Sequence, residues 1–225
     1  SKSIHIFLLI VIIESIFRFY NINFDDLWID ELSTFWVGNP DINLTDSYAH
    51  HKSLEQNTFL YNLSVRTVFK IFGYNIEIFR HLSASFSVLS ILSVAYLSRL
   101  ISNNNAYVFS SFLISFNIFL ITYAQEARVF SALLFFISLS LIFFLKINDK
   151  DNKYNLFLFI IFTIISILLH PFAIILLVSY LTFIIIFKKI NFNNINISLI
   201  IISALSVTYY YFFIKNSIES PSWIL

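Results

Sequence analysis

The chain of 225 residues has no cysteine, two glycines, three prolines and 12% charged residues. Each shortage excludes something. Without cysteine there is no disulfide and no thiolate metal site, although the compartment stays open. With so little glycine and proline there is no flexible low-complexity linker. The formal net charge is +1, which speaks against a nucleic-acid or polyanion partner. Neither G-x-x-x-x-G-K-[ST] nor G-x-G-x-x-G occurs, so a nucleotide site is disfavoured. G-x-S-x-G and H-E-x-x-H are absent as well.

What remains is apolar. Hydrophobic residues make up 58% of the chain and mean hydropathy is +0.81. Globular domains carry about 25% charged residues, so the deficit and the long apolar runs indicate an integral membrane protein. A spanning helix needs about 20 apolar residues. Seven candidates follow: residues 4–19, 78–102, 106–123, 129–147, 154–169, 171–187 and 195–213. The expected fold class is all-α, a polytopic transmembrane helix bundle. The first candidate lacks a small-residue cleavage site and contains Glu14, so it reads as a retained helix, not a signal peptide.

Lysines set the sidedness. A single helix over 154–187 would be about 50 Å long at 1.5 Å per residue, against a hydrocarbon core of about 30 Å. Lys150 and Lys153 precede it, and Lys188 and Lys189 follow it. Positive flanks mark the cytoplasmic side, so the chain is expected to turn back between them. His170-Pro171 is the turning point, because proline suits a helix start and disfavours helix before it. Residues 106–146, flanked by Arg99 and Lys146 and broken by "QEAR" at 125–128, read as a second hairpin. Lys2 places the N-terminus inside. Three polar tips then share the non-cytoplasmic face: the first loop at 20–77, the "QEAR" tip and the "HP" turn.

Within the first loop Thr58, Asn62, Arg66 and Lys70 recur every four residues among apolar neighbours. That pattern predicts an amphipathic helix lying on the membrane surface. Asn57 is its expected N-cap and Gly73 its terminator.

Several residues could carry chemistry. Asp30 and Glu31, in "LWIDELSTF", read either as a solvated acidic turn or as a catalytic pair. Leu27, Trp28, Phe35 and Trp36 bring that loop toward the membrane interface, where tryptophan is enriched. Desolvation there favours a neutral carboxyl and tunes a carboxylate toward general-base work. In "YAQEARVF" a local Glu126–Arg128 pair is one reading. The other places Arg128 at the start of helix four, where a guanidinium beside a positive helix end makes a phosphate site. His170 is a polar cap or a phosphate or metal contact. His50 and His51 match no zinc spacing. Glu14 and Arg18 form an i,i+4 pair that reads as self-neutralising and structural.

These segments together carry a resemblance. "LWIDELSTFW" resembles the acidic motif of the GT-C glycosyltransferases, more narrowly of the protein mannosyltransferase and aminoarabinose transferase-like family. "YNLSVRTVFKIFGYNIEIFRHLSASFSVLSI" resembles its amphipathic stretch and the following "G-x-s-e-x-x-x-R-x-x-s", with Gly73, Glu77, Arg80 and Ser83 matching. "YAQEARVFSALLFF" and "LLHPFAIILL" resemble its "y-s-q-E-a-R-x-y" and histidine-turn segments. The likeness covers roughly residues 10 to 190. Where relatives carry "H-P-P-L-Y", this chain has "EQNTFLY", keeping Leu60 and Tyr61.

The resemblance implies a membrane glycosyltransferase with its site on the non-cytoplasmic face of the plasma membrane. The donor is a sugar on a polyprenyl phosphate, and the acceptor is a lipid, glycan or protein hydroxyl. Asp30 is the expected general base with Glu31 beside it, and transfer inverts the anomeric centre. Tyr61, Gln125, Glu126, Arg128 and His170 are the expected substrate-binding residues. No cofactor is expected; a divalent metal is compatible with the chemistry but not required by it. The chain is expected to be an N-terminal portion of such a domain. A transporter or lipid flippase is the alternative, and a non-catalytic scaffold a third reading.

Overall fold

The computed structural model describes residues 2–54, 58–102, 105–147, 153–187 and 192–217. Asn57, Lys150, Lys188 and Lys189, which carried the N-cap and sidedness expectations, lie outside the described residues. Among the described residues every regular element is a helix. The order is α1 (Lys2–Phe19), α2 (Ile29–Val37), α3 (Leu44–Leu54), α4 (Leu60–Phe72), α5 (Ile76–Ile101), α6 (Ala106–Ser115), α7 (Ile118–Gln125), α8 (Phe130–Ile147), α9 (Lys153–Leu169), a 3-10 turn (Pro171–Ile174), α10 (Ile175–Phe187) and α11 (Phe192–Ser217).

Two of these, α5 and α8, are long and apolar enough to cross a membrane, or three spans if α6 and α7 are one. Seven were expected. The others fall short by length or charge: α1 is 18 residues long but carries Lys2, Glu14 and Arg18, α9 and α10 have 17 and 13 residues, and the apolar stretch counted in α11 is Ser198–Tyr211. The expected third helix is broken, because α6 and α7 are bent by 61°. Asn117 causes the break. It takes the N-cap position of α7, and its side chain accepts a hydrogen bond from the Leu120 N–H at 3.2 Å. Asparagine competes with the backbone inside a helix but favours caps.

The hairpin at His170 is present. Continued straight, Phe159 and Tyr180 would lie about 30 Å apart at 1.5 Å per residue; their rings are 5.1 Å apart. A hydroxyl chain ties α8, α9 and α10 together: Ser140 Oγ lies 2.6 Å from both Thr163 Oγ1 and the Tyr180 hydroxyl. Between apolar helices such bonds add directional attraction that hydrocarbon packing lacks.

α5 is the hub, packed against α1, α4, α6, α7 and α8. Its start is well determined: the Asn75 side chain accepts from the Glu77 N–H at 2.8 Å. Gly73 stops α4 just before it, at φ +100°, a left-handed conformation that glycine adopts without a Cβ clash.

The first loop folds into α2, α3 and α4. The amphipathic helix expected there exists as α4, but its polar stripe faces inward. Thr58, Asn62 and Arg66 are buried, while Ile71 and Phe72 are exposed. Arg66 satisfies its guanidinium on the carbonyls of Asn39, Pro40 and Ile42. Asn62 lies 2.8 Å from His51 Nδ1, and Thr58 donates to the Leu168 carbonyl. Only Lys70 of the four points outward. The connection after α2 offers carbonyls with no helical partner, and Arg66 of α4 supplies their donors.

Candidate functional site

The site is assembled by α2, the α7–α8 tip and the start of α5. α2 is short, with Asp30 and Glu31 in its first turn, where carboxylates meet the positive end of the helix dipole. Its inward face is Glu31, Thr34 and Val37, and its outward face exposes Ile29, Leu32 and Trp36. Gly38 ends it against α4, since a Cβ there would stand 2.6 Å from Val65 Cγ1.

Glu31 is 1% exposed and clamped. Arg80 of α5 holds it with two parallel bonds, Nε to Oε1 at 3.0 Å and Nη2 to Oε2 at 2.7 Å. The remaining Arg80 donors reach the carbonyls of Ile22, Asp25 and Asp26. Glu31 Oε1 also accepts from the Ala127 N–H at 2.8 Å. One carboxylate thus joins α2, α5 and the tip. The expectation of a second catalytic carboxylate at Glu31 gives way to a scaffolding place, because no face of it reaches solvent.

Asp30 differs. Its side chain is 50% exposed, and Oδ2 lies 3.7 Å from Arg128 Nη2. Arg128 itself is oriented by α2: Nη1 donates to the Asp30 carbonyl at 3.0 Å and to Thr34 Oγ1 at 2.9 Å. Ser83 Oγ donates to the Arg128 carbonyl at 3.1 Å, and the Tyr61 hydroxyl lies 2.8 Å from that same Ser83 oxygen. Arg128 also lines a small cleft of about 10 Å³, room for about one water-sized group, together with Thr34, His51, Thr58, Tyr61 and Asn62.

Glu126 caps the end of α7. Burial pushes its carboxyl above the usual range, and the neighbouring Glu31 charge adds to the push while Arg128 and Arg80 oppose it. His170 caps the 3-10 turn, with Nδ1 accepting from the Phe172 N–H at 3.3 Å. That bond leaves the proton of a neutral ring on Nε2. Burial, and then the Arg128 charge, hold His170 below the ordinary histidine pKa.

The structure therefore brings Asp30, Tyr61, Glu126, Arg128 and His170 into one neighbourhood. Gln125 stands apart: its Nε2 donates to the Phe17 and Tyr20 carbonyls at the end of α1. His50 packs against Trp36, ring centroids 4.1 Å apart. Among the described residues no group of three or more metal-ligating side chains converges. Sequence reasoning named Arg80 and Ser83 without a role and missed Thr34, His51 and Asn62 as cleft residues. A buried arginine one turn into an apolar helix was the available signal for Arg80, since such a charge needs a partner.

No family model matches the chain, no curated protein matches it, and no solved structure matches it. What the site can do follows from its own geometry. An arginine oriented by α2 can attract an anion, and the half-exposed carboxylate beside it can accept a proton.

Proposed function

We propose that the protein is a multi-pass membrane glycosyltransferase that moves a sugar from a polyprenyl phosphate to an acceptor hydroxyl on the non-cytoplasmic face. The observation that carries this reading is the Asp30–Arg128 pair, 3.7 Å apart, with Asp30 half-exposed. In this reading the seven apolar segments form a bundle of the GT-C type in the plasma membrane. α2, α3 and α4 sit at its outer surface, and their exposed tryptophans and isoleucines meet lipid.

Asp30 takes the proton of the acceptor hydroxyl. The freed oxygen attacks the anomeric carbon from the face opposite the phosphate, forming the new glycosidic bond. The bond from the anomeric carbon to the phosphate oxygen breaks, and its electron pair leaves with polyprenyl phosphate. Arg128 stabilises that growing negative charge, an electrostatic role of the oxyanion-hole kind. Tyr61 and the cleft hydroxyls contact the substrate. A monophosphate leaving group is handled by a guanidinium, so no metal is required.

The test is transfer in proteoliposomes carrying the full-length protein and a panel of polyprenyl-phosphate sugars, with products detected by mass. Asp30→Asn is expected to lower transfer by about 10²–10⁴-fold and leave insertion intact; an Asn variant as active as wild type refutes the mechanism.

A second reading, a transporter or lipid flippase, is favoured by one observation. The α6–α7 segment is broken by 61° and packs against the buried Glu14–Arg18 pair. Interrupted helices and buried ionisable groups are features of transport sites. It predicts that labelled lipid crosses vesicle membranes with no covalent product.

A further inference from the structure

The break between α6 and α7 is a costly feature. An unbroken helix over residues 106–125 would have about 20 residues and a length of about 30 Å, enough to span. It would also satisfy its own carbonyls. At the bend the Ile114 carbonyl keeps only a long bond from the Asn117 N–H at 3.4 Å, inside an apolar segment where poorly satisfied backbone groups are costly.

α1 repairs that loss with a charge. Arg18 is fully buried. Nη1 reaches the Ser115 carbonyl and Nη2 the Ile114 carbonyl, each at 3.4 Å, and Nε donates to Ser87 Oγ of α5 at 2.6 Å. A guanidinium at the C-terminal end of α6 also meets the negative end of its dipole. Glu14, one turn earlier and fully buried, pairs with Arg18. Glu14 Oε2 faces Arg18 Nη1, and among the described residues the carboxylate has no other polar partner, so it serves the arginine's charge. Phe17 adds an edge-on contact to Phe116 at the break, centroids 6.3 Å apart.

The other end of α7 is tied to the same place. Gln125 donates to the Phe17 and Tyr20 carbonyls at 3.0 and 3.3 Å. α7 has eight residues. The end of α6 that leads into it is held through Arg18, and its own end through Gln125, both against the last turns of α1. Arg128 follows three residues later.

We propose that Arg18, neutralised by Glu14, is a positioning residue: with Gln125 it makes α7 a strut that sets where Arg128 stands relative to Asp30. The proposal rests on the reading above only in giving Arg128 a phosphate to meet; the strut itself is a statement about distance.

The chain has no cysteine, so spin labels can be placed at will. Labels at Phe119 on α7 and Leu32 on α2, both exposed, report strut against site in full-length protein in nanodiscs. Labels at Leu89 on α5 and Phe157 on α9, also exposed, report the rest of the bundle. The double variant Glu14→Leu/Arg18→Leu removes both buried charges and keeps apolar bulk. The expected result is a shifted, broadened 119–32 distribution with an unchanged 89–157 distribution. Arg18→Lys, which keeps a cation at the α6 carbonyls, is expected to fall between wild type and the double variant.

Two unchanged distributions in the double variant overturn the proposal. If both distributions change, the fold has failed and Gln125→Ala decides: a shift confined to 119–32 supports the strut, and no shift overturns it. None of these readouts needs turnover. A strut without transfer activity therefore refutes the glycosyl reading alone, and transfer without a strut refutes this inference alone.

Discussion

Asp30 and Glu31 are covalent neighbours on one short helix, and each faces an arginine, yet they have opposite environments. Glu31 meets Arg80 with two parallel bonds, at 3.0 and 2.7 Å, and is 1% exposed. Asp30 meets Arg128 at 3.7 Å and is half-exposed. Successive helix residues point about 100° apart at 3.6 residues per turn, so the inward turn takes one carboxylate and the rim takes the other. A fully paired buried carboxylate has no capacity left for a substrate. A half-open one beside a cation held from behind retains it. The adjacent acids differ in place: Glu31 ties three elements together, and Asp30 stands at the rim, where the proposed reaction needs a carboxylate.

The largest expected effect tests the builder. Glu31→Ala leaves Arg80 buried with no carboxylate, a loss of about 3–5 kcal/mol for a broken buried pair. Unfolding in detergent micelles measures it. Pairing it with Arg80→Leu should recover part of the loss; a single variant as stable as wild type would erase the contrast. Next comes the reactive neighbour. Asp30→Asn is expected to lower transfer by about 10²–10⁴-fold, the usual contribution of a general base, while stability moves by no more than about 1 kcal/mol, as for exposed pairs. Equal stability losses at Asp30 and Glu31 would show that both acids are scaffolding.

Gly38 tests how tightly α2 is seated. A Cβ there would meet Val65 Cγ1 at 2.6 Å and Phe69 Cε2 at 3.2 Å. Gly38→Ala is therefore expected to cost about 1–3 kcal/mol, the range for overpacking, and to displace Asp30 from Arg128. Thermal midpoints and transfer rates of the same variant check both effects.

The smallest effect is in pH. Burial raises the Glu126 carboxyl above its ordinary value. The folded chain therefore holds that proton to higher pH than the unfolded chain does. Between the ordinary and the raised value the folded state binds more protons, so stability falls as pH rises through that window. Glu126→Gln removes this segment of the dependence. Its midpoint is expected to gain on wild type as pH rises through the carboxylate range, and parallel profiles for the two proteins would contradict the assignment.

Much of this was legible in the chain. Apolar run length gave α5 and α8, and His170-Pro171 gave the hairpin, because periodicity and proline chemistry act locally. Asp30 was named from residue type and its interfacial neighbours, and Arg128 from the helix start it was expected to occupy. The inverted face of α4 was not legible. Thr58, Asn62 and Arg66 recur every four residues whether the stripe faces water or carbonyls, and the pattern is the same in both cases. The break at Asn117 left one faint signal, a cap-forming residue inside an apolar run, but whether asparagine caps or is tolerated depends on what meets the freed carbonyls.

Composition and spacing by themselves settled that this is an all-helical, membrane-type chain with its polar residues gathered at a few tips, since burial of apolar surface and backbone pairing are decided within each segment. Only tertiary structure decided which acid is clamped and which is open, and that Arg18 is set against a broken helix. Those outcomes depend on carbonyls and guanidiniums up to 98 residues apart in sequence, and no local pattern records where such partners will meet.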